Sequence, residues 1–219
     1  PQGMNVILSA SQKENALNGI STSDIIKIQQ HILGRNPISN SFELLAADVD
    51  MNGRISSADI ALIRKLLLGV IQEFPSRTSF LFMDKGIVFK DPSNPWDDYN
   101  RYNLIHSLLE HSKQDADFIG VKLGDVNSSL GSRNSSAVSF TYRQINDEIT
   151  VYSNVNADIY GYELSLNLKG CQALTEDVKL MQLESNNFDF DFSTQYNQIK
   201  ILATSLVVTK IKIGQPYLK

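Results

Sequence analysis

The segment from Asp48 to Asp59, DVDMNGRISSAD, places an oxygen-bearing side chain at every second position of its first half and closes on a carboxylate. A calcium loop needs oxygen ligands at positions one, three and five, a glycine at six, a carbonyl at seven and a carboxylate at twelve. The alternative is a polar surface turn that binds no ion. The segment supplies every ligand type, so we predict a calcium (Ca2+) site formed by Asp48, Asp50, Asn52, Arg54 through its carbonyl, Ser56 and Asp59.

A helix is predicted directly after this loop. Apolar residues recur at helical spacing in SADIALIRKLLLG, with Ser56 placed to cap the helix and Gly69 to end it. Upstream, GISTSDIIKIQQHILG repeats this pattern at an offset of 35 residues, which aligns Asp24 with Asp59. The chain therefore contains an internal duplication of a loop and a helix.

Two such units, each with Asp at position twelve and a Leu-Gly end, resemble the type I dockerin domain. The resemblance is closest to the dockerin-like modules of large secreted Bacteroidetes surface proteins, in which NGISTSDIIKIQQHILG, AADVDMNGRISSADIALIRKLLLG and VKLGDVN occur in this order. It covers about the first 128 residues. It implies a helical pair around calcium, a secreted or cell-surface protein with the type IX route as a candidate for export, and, in cellulosomes, docking onto a cohesin.

In dockerins, loop positions ten and eleven contact the cohesin. These positions are Thr22 and Ser23 in the first copy, and Ser57 and Ala58 in the second. The alternative is that small polar residues simply suit the first turn of a helix.

The first copy of the loop departs from the pattern. Lys13 stands at position one and Leu17 at position five, so most side-chain ligands are absent. The later segment GDVN reads like the opening of a displaced loop, and its Asp125 and Asn127 are candidates to complete a second site beside Asp24. The alternative is that GDVN is a turn that leaves the strand FIGVKLG.

The rest of the chain is predicted to be rich in β-structure. An insert over about 75–117 alternates at Phe80 and Phe82 and again at Ile87 and Phe89, which predicts two short strands followed by a Pro- and Asn-rich loop. Beyond a Gly/Ser/Asn linker, short runs of β-branched and aromatic residues predict an antiparallel β-sandwich. Its segment ITVYSNVNADIYGYELSLNL resembles the opening of a cohesin-like or related immunoglobulin-like domain.

The predicted fold class is therefore α+β and multi-domain. A dockerin-like pair of calcium loop-helix motifs with a short β insert is followed by the sandwich. The predicted boundaries are a calcium-binding domain over 1–128 with repeats at about 13–34 and 48–69, a linker over 129–136, and a β-sandwich over 137–219.

Composition and motif content argue against nucleic-acid binding, membrane insertion and catalysis. The chain carries 20 Lys and Arg against 24 Asp and Glu without a basic stripe, which makes nucleic acid an unexpected partner, and no apolar run is long enough for membrane insertion. The three histidines lack metal spacing and no nucleophile motif is present, so we expect no enzyme. A single cysteine cannot form an internal disulfide, so we expect bound calcium to stabilise the fold instead.

Two functions remain. The first is a calcium-stabilised extracellular structural or adhesive module that packs on its neighbouring β-sandwich domain. The second is a dockerin that binds a separate cohesin-like protein to assemble an extracellular, cellulosome-like enzyme complex. The degenerate first loop and the appended β-rich region favour the first function.

Overall fold

In a computed structural model, the described residues are 10–12, 15–104, 117–128, 140–145, 148–153, 157–167, 189–195, 198–211 and 216–218. The predicted linker at 129–136 lies outside them. No helix among these residues is long and apolar enough to cross a membrane. The N-terminal region contains helices α1 (Thr22–Ile32), α2 (Ser41–Ala47), α3 (Ser57–Leu67) and α4 (Trp96–Leu104), and strands β1 (Phe80–Asp84) and β2 (Phe118–Lys122).

The duplicated helices α1 and α3 begin with the same chemistry. Ser21 caps α1 and Ser56 caps α3, and each forms a capping box with the aspartate three residues later, Asp24 or Asp59. A capping box satisfies backbone N–H groups that the first helical turn leaves unpaired. The predicted start of α3 at Ser56 is thus confirmed, as is its end before Gly69, which adopts a φ of 74°.

The apolar faces of α1 and α3 meet in one core. Ile25 and Ile28 of α1 are fully buried in the same cluster as Ile63 and Leu66 of α3. Helix α2, which the sequence analysis did not identify, adds Leu45 to this cluster and is capped by Asn40. Because α2 ends at Ala47, it delivers the chain directly into the loop that starts at Asp48.

The insert differs in part from its prediction. β1 is a strand as expected, but Ile87–Phe89 is not, because the chain turns at Gly86 and buries Ile87 in the core instead. The partner of β1 is β2, which runs antiparallel with Phe80 opposite Lys122. Helix α4 occupies part of the predicted loop and starts at Trp96, which packs against the core.

The C-terminal region forms two antiparallel sheets. β3 (Phe140–Ile145), β4 (Glu148–Ser153) and β8 (Pro216–Leu218) make one sheet in the order β3-β4-β8. β5 (Ala157–Asn167), β6 (Asp189–Gln195) and β7 (Gln198–Ile211) make the other in the order β5-β7-β6. Antiparallel strands are confirmed, and the stacking of the two sheets as a sandwich stays a prediction.

One sheet packs against the N-terminal helices. Helix α1 lies alongside β7 and β5. Ile201 to Ser205 of β7 are all buried, so this part of the strand is covered on both faces of the sheet. Leu202 is 1 % exposed and belongs to the hydrophobic cluster of the N-terminal helices. A residue of the C-terminal sheet therefore contributes to the N-terminal core.

Candidate metal centre

The predicted calcium loop connects α2 to α3 and gathers three carboxylates. Asp48, Asp50 and Asp59 each offer one oxygen, and these oxygens lie within 4.8 Å of one another. Asp48 and Asp59 are buried, whereas Asp50 is partly exposed. Three convergent carboxylate oxygens are suitable ligands for a hard cation such as Ca2+.

The carboxylate of Asp48 organises the turn. Its Oδ1 accepts a hydrogen bond from the Asn52 backbone N–H at 3.0 Å, and its Oδ2 accepts one from the Gly53 N–H at 2.8 Å. Gly53 has a φ of +83°, which a residue with a side chain adopts only with strain. The glycine thus lets the chain reverse tightly around the first predicted ligand.

Asn52 and Arg54, at loop positions five and seven, are linked to the rest of the loop by hydrogen bonds. The Asn52 amide donates to Asp50 Oδ2 at 2.8 Å, and Asn52 Oδ1 accepts from the Arg54 N–H at 3.1 Å. The Arg54 residue is exposed. The predicted ligand at loop position five, Asn52, therefore lies directly beside Asp50, the predicted ligand at position three.

Asp59 links the two ends of the loop. Its Oδ1 accepts from the backbone N–H groups of Val49 and Asp50 at 3.0 and 3.4 Å, and its Oδ2 accepts from the Ser56 N–H at 2.8 Å and from Ser56 Oγ at 3.3 Å. A carboxylate at position twelve thus fixes both the entry of the loop and the start of α3. Its one-methylene shorter side chain, compared with glutamate, still reaches both.

Burial makes these carboxylates receptive to a cation. Burial raises the pKa of Asp48 to about 6, and the Asp59 charge adds to this shift. Burial also raises the pKa of Asp59, with the Asp50 charge contributing in the same direction. Burial and neighbouring like charges both disfavour the ionised form of a carboxylate. A divalent cation bound between these carboxylates would offset both effects. The donor set and its electrostatics therefore fit Ca2+.

The structure also brings together the residues predicted for a second site. Asp24 Oδ1 accepts from the N–H groups of Val126 and Asn127 at 2.8 and 3.1 Å, although the two segments are about 100 positions apart in the sequence. Asp125 is 5 % exposed, and its charge contributes to raising the pKa of Asp24 to about 6, after the larger effect of burial. Lys13, at position one of the first loop, lies outside the described residues.

The residues predicted to contact a partner have different surroundings in the two copies. Thr22 is half-buried, and Ser23 Oγ accepts from the Asn127 amide at 2.6 Å. Ser57 and Ala58 are exposed at the start of α3. Ser23 is therefore exposed but hydrogen-bonded to Asn127 of the same chain, whereas Ser57 and Ala58 are both exposed.

Sequence reasoning missed the residues that join the helices to the C-terminal sheet. Arg64 of α3 donates to Asp191 Oδ2 at 2.9 Å and to Thr204 Oγ at 3.0 Å, and Ser193 Oγ donates to the Leu68 carbonyl at 2.6 Å. The only available signal was the Asp/Phe alternation in DFDFSTQ, which is typical of a strand with a polar face. Nothing in that pattern indicates α3 as the partner.

The two capped loop-helix units and the three convergent carboxylates are features that this chain shares with calcium-binding domains of the dockerin class. Residues 18–68 match the family model of the Dockerin type I domain, which supports the predicted dockerin resemblance for the duplicated region. Dockerin domains bind calcium, mediate calcium-dependent protein–protein interactions, typically with cohesins, and are typical of extracellular proteins. Comparison with curated proteins and with solved structures gave no match.

Proposed function

We propose that the chain is a calcium-stabilised, non-catalytic structural or adhesive module of a large secreted or cell-surface protein. In this proposal the dockerin-type domain docks on the C-terminal sheet of its own chain, and calcium holds the docking helices in place. The observation that carries the proposal is the contact between α1, α3 and the sheet β5-β7-β6.

Polar contacts support specific docking. The Arg64 side chain is only 18 % exposed and its guanidinium reaches two strands, through Asp191 of β6 and Thr204 of β7. Asp189, at 3.5 Å from the guanidinium, is largely exposed and adds little. Charge-assisted bonds to a mostly buried guanidinium fix the position of α3 relative to the sheet.

An apolar contact supports docking independently. Asp191 is directly opposite Leu202, and Asp189 is directly opposite Thr204, so these four residues lie on one face of the sheet. Leu202 is the apolar member of this otherwise polar set. Its burial in the helical core removes it from water and anchors the sheet at the point where the polar contacts converge.

Calcium stabilises the same helix that makes these contacts. Asp59 lies in the first turn of α3, and Arg64 follows five positions later on the same helix. An ion that binds only the folded loop stabilises the folded state by about 2.7 kcal/mol at a hundredfold excess over its dissociation constant. This gain would compensate for the absence of an internal disulfide.

The histidine described in α1 has a structural environment. His31 Nδ1 accepts a hydrogen bond from the Ile38 backbone N–H at 3.0 Å, and partial burial lowers its pKa. A ring nitrogen that already accepts a hydrogen bond from a backbone N–H is not available to act as a base. This contact gives His31 Nδ1 a structural role.

The exposure of Ser57 and Ala58 favours a second candidate function. These residues occupy the positions through which dockerins contact cohesins, and their small side chains would allow a flat sheet to approach α3. A dockerin that binds a cohesin in trans is therefore the alternative.

Surface plasmon resonance with the full chain and immobilised cohesin domains separates the two functions. We expect no nanomolar capture in millimolar calcium. Nanomolar capture that chelation abolishes, and that Ser57→Asp weakens at least tenfold while Thr22→Asp does not, would establish the alternative instead.

A further inference from the structure

We propose that Asp24, Asp125 and Asn127 form a second calcium site whose ligands come from two distant chain segments. Asp125 and Asn127 lie outside the segment that matches the dockerin family, which ends at residue 68. The site would replace the first loop, whose own positions one and five carry Lys13 and Leu17.

The backbone around Asp24 reproduces the arrangement around Asp59. In the main loop, Asp59 Oδ1 accepts from the first two N–H groups after Asp48. In the second site, Asp24 Oδ1 accepts from the first two N–H groups after Asp125, at 2.8 and 3.1 Å. Asp125 and Asn127 therefore occupy the places of loop positions one and three relative to the carboxylate at position twelve.

Asn127 provides an oxygen that lacks a hydrogen-bond partner. Its amide nitrogen donates to Ser23 Oγ at 2.6 Å, which fixes the orientation of the side chain. Its Oδ1 is buried and accepts no hydrogen bond. A buried acceptor without a partner costs free energy, and coordination of a cation would satisfy it.

Gly19 leaves space for the Asp125 carboxylate. A Cβ atom at Gly19 would lie 2.6 Å from Asp125 Oδ2, and the glycine has a φ of +80°. The carboxylate is therefore held against the main chain of the degenerate first loop, shortly before α1 begins at Thr22. Any larger residue at position 19 would displace it.

Both carboxylates of the proposed site are buried. Asp24 is fully buried and Asp125 is 5 % exposed. The nearby Lys27 ammonium bonds the Val126 carbonyl and Glu43, and the Lys122 ammonium bonds the Ala16 carbonyl. A divalent ion would neutralise the two buried charges directly. With two carboxylates in place of three, we expect weaker affinity than in the main loop, because affinity rises with ligand charge.

Such an ion would close the N-terminal domain. It would join the start of α1 to the segment that follows β2, and so link the two ends of this domain. The function would be structural, and it does not depend on occupancy of the main loop.

Anomalous diffraction from crystals of the full chain grown in millimolar calcium tests the proposal without any substitution. We expect one peak among Asp48, Asp50 and Asp59 and a second between Asp24, Asp125 and Asn127. A peak in the main loop alone would overturn the second site, whereas a missing peak in the main loop would count against the proposed function and not against this site.

Isothermal titration calorimetry provides a matched comparison. The full chain should bind two calcium ions, Asp125→Asn should lose the weaker one, and Asp50→Asn should weaken the tighter one. Each substitution retains side-chain shape and removes one charge. A stoichiometry of one ion in the unsubstituted chain, with Asp125→Asn binding identically, would refute the proposal.

Discussion

Truncation of Leu202 to alanine tests whether the C-terminal sheet is part of the N-terminal core. Leu202 is 1 % exposed and lies in the cluster that contains Ile25, Ile28 and Ile63. Leu202→Ala removes three buried carbon atoms, and each contributes about 0.8 kcal/mol of transfer free energy. The residual cavity adds to this loss, so we expect docking of the sheet on the helices to become less favourable by about 3 kcal/mol.

Hydrogen exchange followed by mass spectrometry measures this loss within the folded chain. Every 1.4 kcal/mol corresponds to a factor of ten, so backbone amides of α1 and α3 that exchange through undocking should exchange about 100-fold faster. The effect should be largest in α1, because this helix lies alongside β7 and β5.

Ile201→Ala is the matched control. Ile201 is also 1 % exposed, but it is adjacent to Leu202 in the strand and so points to the opposite face of the sheet. It should accelerate exchange in β5 and β7 more than in α1. The reasoning would be refuted if Leu202→Ala left exchange in α1 within twofold of the unsubstituted chain.

Four further predictions concern the main loop and its counterpart. Asp50→Asn should weaken calcium binding at least tenfold by calorimetry and lower Tm in calcium. In calcium-free buffer it should not lower Tm, because it removes a charge that repels the Asp59 carboxylate. The pKa of Asp48 in the folded state is raised above 3.8 to about 6, so the folded state binds this proton more tightly than the unfolded state. The calcium-free chain should therefore lose stability as pH rises from about 4 to about 6, whereas calcium affinity should fall as pH drops through about 6. Thermal melts at several pH values, with and without calcium, check both signs. Gly53→Ala should cost about 1 kcal/mol of unfolding free energy through its positive φ alone, because its Cβ would meet nothing within 4 Å. Gly19→Ala should cost more in chemical denaturation, because its Cβ would collide with Asp125.

The convergence of Asp48, Asp50 and Asp59 could be predicted because the information in the loop is local. All six predicted ligands lie within twelve consecutive positions, and each ligand type is required by the same ion. The helix start at Ser56 follows from side-chain chemistry three residues apart. Such short-range constraints are visible in one sequence without knowledge of the fold.

Other elements depend on contacts that the sequence does not encode locally. Helix α4 begins in a Pro- and Asn-rich stretch, where Trp96 gains its place by packing on the distant core. The Ile87–Phe89 segment alternates like a strand, yet β1 pairs with β2, which follows about 35 residues later. Arg64 and Asp191 are 127 positions apart, so no periodicity links them. The proximity of Asp125 to Asp24 could be predicted only because GDVN retains part of a recognisable motif.

The sharing of α3 between the calcium loop and the sheet has a mechanical consequence. Asp59 and Arg64 are separated by five residues of helix, or about 7.5 Å along its axis. A tensile load applied through β6 and β7 would therefore pass along this short segment of helix to the proposed calcium loop. The force needed to separate the sheet from the helices would then depend on the calcium concentration.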